Sequence, residues 1–148
     1  MRFALDTNIL AYAEGVNDAN RAAMALDLLA RLSQDETVIP VQVLGELFTV
    51  LVRKANRSPL EAREAILQWR DTFAVANTTP DVMFKAADLA ADHRLSIWDA
   101  VILCAASSAG CRLLLSEDMQ DGFTWGGVTV VNPFAASPHP LLAAMLEN

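Results

Sequence analysis

Four acidic residues stand where carboxylates do chemistry rather than cover surface: Asp6, Glu46, Asp99 and Asp118. Asp6 follows the short apolar run Phe3 to Leu5 and precedes Thr7 and Asn8, so a carboxylate closes what reads as a buried strand. Glu46 falls inside the apolar band Val43, Leu47, Val50 and Leu51 of a helix, where an unpartnered carboxylate is costly. Asp99 opens an apolar helix, and Asp118 lies in the polar loop after the run Leu113 to Leu115, with Asp121 as a second acid nearby. Bunched carboxylates repel one another and are expensive to ionise unless cations bind among them. Hard oxygen ligands favour Mg²⁺ or Mn²⁺, and such a site can deprotonate a water and steady charge at phosphorus. Each acid also has a purely structural use. Asp6 and Asp99 can cap helices, Glu46 can bond a buried backbone group, and acids are ordinary in loops.

The elements that must position these groups follow from the hydrophobic pattern. Short strands are expected at Phe3–Leu5, Thr37–Ile39, Phe73–Ala76, Leu113–Leu115 and Val128–Val131, the last entered through the Gly126-Gly127 turn. Between them run helical patterns. Residues 19–32 place Ala22, Leu26, Leu29 and Ala30 on one face, and residues 41–54 carry Glu46. A helix opens at Ser58-Pro59, another spans residues 79–93, and Ser96-Ile97-Trp98-Asp99 has capping-box spacing before the helix 100–109. Strands alternating with helices predict an α/β fold: a mostly parallel central sheet flanked by helices on both faces. In that architecture strand ends and helix N-termini meet in one crevice, so three of the four acids point to the same place.

A chain of 148 residues fits a single domain, 1–148, with a core over about 1–134 and a tail at 135–148. The net charge of −7 argues against non-specific nucleic-acid binding through a basic surface, although bound cations can reverse the local sign. The apolar content is high, with 53% hydrophobic residues and a mean hydropathy of +0.28, yet the run Ala100–Ala106 is far short of a membrane span. Surplus apolar surface predicts self-association as a homodimer, helped by outward Ala and Leu residues such as those of Leu141–Leu146. No signal peptide is visible, so a cytoplasmic location and no membrane contact are expected. Cys104 and Cys111 read as reduced core residues, Trp69, Trp98 and Trp125 as packing, and His93 and His139 lack metal-ligand spacing. Arg53, Lys54 and Arg57 cluster after Glu46 and can meet a substrate phosphate, though cations at a helix C-terminus are favoured in any case.

Taken together, Asp6-Thr7-Asn8 after an N-terminal strand, Glu46 within Val43-Leu44-Gly45-Glu46-Leu47, Trp98-Asp99-Ala100 and the loop Ser116-Glu117-Asp118-Met119-Gln120-Asp121-Gly122 resemble PIN-domain nucleases. The nearest subgroup is that of the bacterial VapC-type toxins. The likeness runs in order from Arg2 to about Phe134. It implies a PIN-like fold and a Mg²⁺-dependent ribonuclease, with Mn²⁺ as a substitute, acting on single-stranded or structured RNA. Asp6, Glu46 and Asp99 match the family's principal metal-binding acids and Asp118 the fourth, with Asp121 as a stand-in. Thr7 and Ser116 match positions whose hydroxyls support the site, and Asn8 lies beside them. The resemblance further implies a small cognate antitoxin that lays a helix along the groove and places an Arg or Lys among the carboxylates. Two other functions compete. A non-catalytic PIN-like binding module would not need all four acids, and an aspartyl-phosphate phosphatase would need an Asp-x-Asp motif where Asn8 stands.

Overall fold

Phe3, Ala4 and Leu5 have almost no exposure in the computed structural model, which describes residues 1–147. They belong to β1 (Arg2–Leu5), which pairs in parallel with β2 (Thr37–Pro40) on one side and β4 (Cys111–Leu115) on the other. A strand covered on both faces reads as a continuous apolar run, as this one does. The remaining strands are β3 (Ala74–Ala76), β5 (Thr124–Trp125) and β6 (Val128–Val131), and the six-stranded sheet has the order β3-β2-β1-β4-β6-β5. All neighbours are parallel except the β5–β6 hairpin. The mostly parallel α/β architecture expected from the sequence is therefore the one adopted, and β1 sits inside it with both edges paired.

Seven α-helices surround the sheet among the described residues: α1 (Thr7–Ala13), α2 (Ala19–Arg31), α3 (Val41–Arg53), α4 (Pro59–Thr72), α5 (Pro80–His93), α6 (Ile97–Ser108) and α7 (Pro140–Leu146). Every residue of α6 from Ala100 to Ala106 is buried, so this helix is apolar all round and forms the centre of the packing with α5 and β4. The starts of α4 and α5 follow the sequence signals closely. Ser58 and Glu61 form a reciprocal capping box with Pro59 at the first helical position, and Thr79 caps Val82 N–H ahead of Pro80.

Four expectations are corrected. Helix α2 buries Ala25 and Leu28 rather than the face of Ala22, Leu26 and Ala30, and Leu26 is 54% exposed. An Ala- and Leu-rich helix offers two apolar faces, and tertiary packing selects one. At Ser96 only half of the capping box forms: its hydroxyl accepts the Asp99 N–H, with no return bond from the Asp99 carboxylate, which turns elsewhere. Strand β5 was not anticipated. Leu141–Leu146 do not form an outward face, since Leu142 is 2% exposed and Leu141, Met145 and Leu146 pack against the core.

Candidate active site

The C-terminal ends of the parallel strands lie along one edge, and the backbone stitches their exits together: Asp6 N–H donates to Leu115 O at 3.0 Å and Ser116 N–H to Val131 O at 3.0 Å. Asp6 is the N-cap of α1 and is only 4% exposed. Its Oδ1 accepts the Thr7 N–H at 2.7 Å, and its Oδ2 accepts the Ser116 hydroxyl at 2.6 Å and the Asn8 amide at 3.3 Å. Burial pushes its carboxyl up from the usual 3.8 to about 6; the bonds from Ser116 and Thr7 oppose the rise, and the charges of Asp99 and Glu46 add to it.

Glu46 projects from α3 and accepts the Thr7 hydroxyl at 2.5 Å, so it is held to the strand end that carries Asp6. Asp99, half-buried at the start of α6, has its carboxyl raised first by burial and then by the neighbouring charges of Glu46 and Asp118, against the Ser96 hydroxyl. Asp118 is exposed and accepts the Asn8 amide at 3.2 Å. Ser116 organises that loop, since its oxygen also accepts the backbone N–H groups of Asp118 and Met119 at 3.2 and 3.3 Å. Asn8 is the hub. Its amide reaches Asp6, Ser116 and Asp118, while its carbonyl oxygen accepts Glu117 N–H at 3.1 Å.

The four acids are thus brought into one electrostatic neighbourhood, with Thr7, Asn8 and Ser116 between them. Asp121 is not: its Oδ1 accepts Asn132 N–H at 2.9 Å, fixing the turn to β6. The basic cluster is likewise divided. Arg57 is consumed by Glu14, bonding its Oε2 and its carbonyl oxygen at 2.8 Å each, while Trp69 N–H donates to Glu14 Oε1 at 2.8 Å. Of the three cations only Lys54 faces the site, lining a groove of about 470 Å³ that also takes in Thr7, Asn8, Glu46 and Asp118. His139 caps α7 through Nδ1, and His93 packs edge-on against Phe123. Cys104 and Cys111 are buried free thiols, each pushed up to about 11 by burial.

Sequence reasoning overlooked the support behind Glu117. Tyr12 hydroxyl donates to Glu117 Oε1 at 3.1 Å, and Arg21 Nε pairs with Oε2 at 2.9 Å, out of line for a hydrogen bond but close enough for an ion pair. Arg21 in turn lies 5.0 Å over the ring of Phe134, and Tyr12 meets the same ring edge-on. No spacing rule links residues 12, 21, 117 and 134, so the sequence carried no signal for this cluster.

Among the described residues, no three His, Cys, Asp or Glu side chains converge tightly enough to enclose an ion by themselves. The donors present are hard carboxylate oxygens interleaved with the two hydroxyls of Thr7 and Ser116 and the Asn8 amide. An oxygen set of this kind, open between its carboxylates, suits a small hard divalent cation that keeps waters in its shell.

The model of the PIN domain family matches residues 3–120, which is well over half of the chain. The chain belongs to the PIN domain family. No curated protein matches it at a significant level. Solved PIN-like structures do. The chain is 24% identical to the Mycobacterium tuberculosis VapC20, a sarcin-ricin loop cleaving toxin, over 78% of this chain and 89% of that one, with a TM-score of 0.67. A toxin–antitoxin complex from Klebsiella pneumoniae contains a chain 21% identical, covering 88% and 97%, with a TM-score of 0.66. VapBC-1 from nontypeable Haemophilus influenzae is 18% identical over 80% and 87%, with a TM-score of 0.59. At these identities the likeness is one of fold. No helix among the described residues is long and apolar enough to cross a membrane.

Proposed function

We propose that this PIN-domain chain is a divalent-metal-dependent endoribonuclease and the toxin of a toxin–antitoxin pair. The observation that carries the reading is the placement of Asp6, Glu46, Asp99 and Asp118 around one strand edge, with Asp6 buried and fixed by two hydrogen bonds shorter than 3 Å. A carboxylate that is buried, raised towards neutrality and surrounded by like charge favours a bound cation over the empty state. Asp6, Glu46, Asp99 and Asp118 would hold Mg²⁺, or Mn²⁺ in its place. The chemistry such a cation supplies is Lewis acidity, which eases deprotonation of a water and offsets charge at a phosphate.

The remaining parts are tasks for the chain's own groups. Thr7 N–H and the Ser116 hydroxyl fix both oxygens of Asp6, so its orientation is set before any ligand arrives. The Thr7 hydroxyl does the same for Glu46. Asn8 holds Asp118 and the Glu117 backbone in register with α1, so the loop after β4 presents its acid to the strand edge. Preorganised carboxylates of this kind lower the reorganisation needed during phosphodiester hydrolysis.

The solved complexes from Klebsiella pneumoniae and Haemophilus influenzae supply the model for the partner. A small basic antitoxin seated along the groove, with an Arg or Lys among the carboxylates, would be drawn in by the net charge of −7. The test is cleavage of a labelled structured RNA by the purified chain with Mg²⁺, with Mn²⁺ and with EDTA, alongside Asp6→Asn. Cleavage that needs the cation and falls at least about 100-fold in the variant is expected. Undiminished cleavage in EDTA, or a wild-type rate from Asp6→Asn, would sink the assignment.

A further inference from the structure

The groove that begins at the acids does not end there. Beyond Glu46 and Asp118 its walls are the apolar side chains of Ala11, Val16 and Val50, and Lys54 stands among its lining residues. Lys54 is exposed, and none of the ion pairs among the described residues involves it, unlike Arg21, Arg31, Arg57, Arg70 and Lys85. It follows Arg53 at the end of α3. Eight residues separate it from Glu46, a rise of about 12 Å along the helix. The order along the groove is therefore carboxylates, an apolar floor, then an unpaired cation, with Asn17 and Thr49 as polar rims.

That order matches a nucleotide lying lengthwise: a phosphate at the acid end, a base and sugar over the floor, and the next phosphate at the cation. From this geometry we infer that the groove is a subsite for one nucleotide of single-stranded RNA flanking the cleaved bond, and that Lys54 holds the neighbouring phosphate. The inference rests on the ribonuclease reading and adds to it the strand form and the position of the contact. A cation one groove-length along from the acids would contribute to binding and not to bond cleavage. In a chain of net charge −7 it also supplies local attraction that the rest of the surface lacks. The competing role, favourable charge at a helix C-terminus, needs no RNA and would show in stability alone.

The experiment uses a single-stranded RNA oligonucleotide spanning a mapped cleavage site, and versions of it with one uncharged methylphosphonate linkage at successive positions. Wild type, Lys54→Ala, Lys54→Arg and, as a charge control outside the groove, Arg63→Ala are compared. For Lys54→Ala the KM should rise about ten-fold with kcat within two-fold, and the slope of log KM against log salt should shrink by about 0.7. Lys54→Arg should keep most of the binding, and Arg63→Ala should behave as wild type. A neutral linkage at one flanking position should weaken wild type and leave Lys54→Ala unmoved. An unchanged KM and salt slope, a loss confined to kcat, or equal responses of both proteins to every neutral linkage would overturn the subsite. If the wild type cleaves RNA and Lys54→Ala matches it, only the subsite falls; if the wild type cleaves nothing, the ribonuclease reading falls first and the subsite with it.

Discussion

Replacing Asp6 by Asn should change how stability depends on pH, in a way that no exposed carboxylate would. In the folded protein the Asp6 carboxyl is raised from 3.8 to about 6, so the native state holds this proton more tightly than the unfolded chain does. Its contribution to stability is therefore greatest below pH 3.8 and is lost as the pH climbs through about 6. At 1.36 kcal/mol per pKa unit, the loss totals about 3 kcal/mol, most of it between pH 4 and pH 8. Asn lacks the titration but also alters the bonds from Ser116 and Asn8, which adds a constant offset at every pH. The informative quantity is the difference between the two proteins as the pH changes. Urea unfolding in EDTA from pH 4 to 8 should show wild type losing about 2 kcal/mol relative to Asp6→Asn, most of it between pH 4 and 6. Stability curves that stay parallel within about 0.5 kcal/mol would refute the burial argument.

Asp118→Ala should lower RNA cleavage by at least about ten-fold, whereas Asp121→Ala should cost about 1 kcal/mol of stability by freeing Asn132 N–H and leave cleavage within two-fold, as read by parallel activity and unfolding assays. Gly126 has φ +58, and a Cβ there would lie 2.7 Å from Ser107 Oγ, whose hydroxyl donates to Gly126 O. Gly126→Ala should therefore destabilise by about 1–2 kcal/mol or more in denaturant unfolding, with an unchanged value arguing that the hairpin is not docked on α6. Exposed Leu60, Phe84 and Trp98 leave apolar surface on α4, α5 and α6, and light scattering at high micromolar concentration should give twice the 16.0 kDa chain mass; a monomer would remove the expected homodimer.

The strands and most helices were legible because each carried a local signal. The run Phe3–Leu5 ending at Asp6, the Ser58-Pro59 start and the apolar stretch Ala100–Ala106 all state their structure within a few residues. The acids were legible for the same reason, each standing at an element boundary or in an apolar band. What the sequence withheld is what depends on distant pairings. Whether Leu26 or Leu28 of α2 turns inward depends on which neighbour packs there, and the pairing of Trp125 with Val128 depends on β6 already lying beside β4. The separation of Asp118 from Asp121, and of Lys54 from Arg57, was also invisible, because partners such as Asn8 and Glu14 lie many residues away.

The pairing of β1 with β4 also sets a timetable for the chain as it is made. Asp6 is synthesised more than 100 residues ahead of Ser116 and of the Leu115 carbonyl that fasten it. Until β4 has emerged, β1 has only β2 to lean on, and its first carboxylate has neither its hydroxyl partner nor its burial. A nascent chain folds from its N-terminus as it grows, at roughly 5–20 residues per second. For most of that interval the acidic cluster is in pieces, with one half still missing from the chain. On the proposed ribonuclease reading, a cell making this chain on its own ribosomes thus has an unarmed intermediate until β4 has emerged.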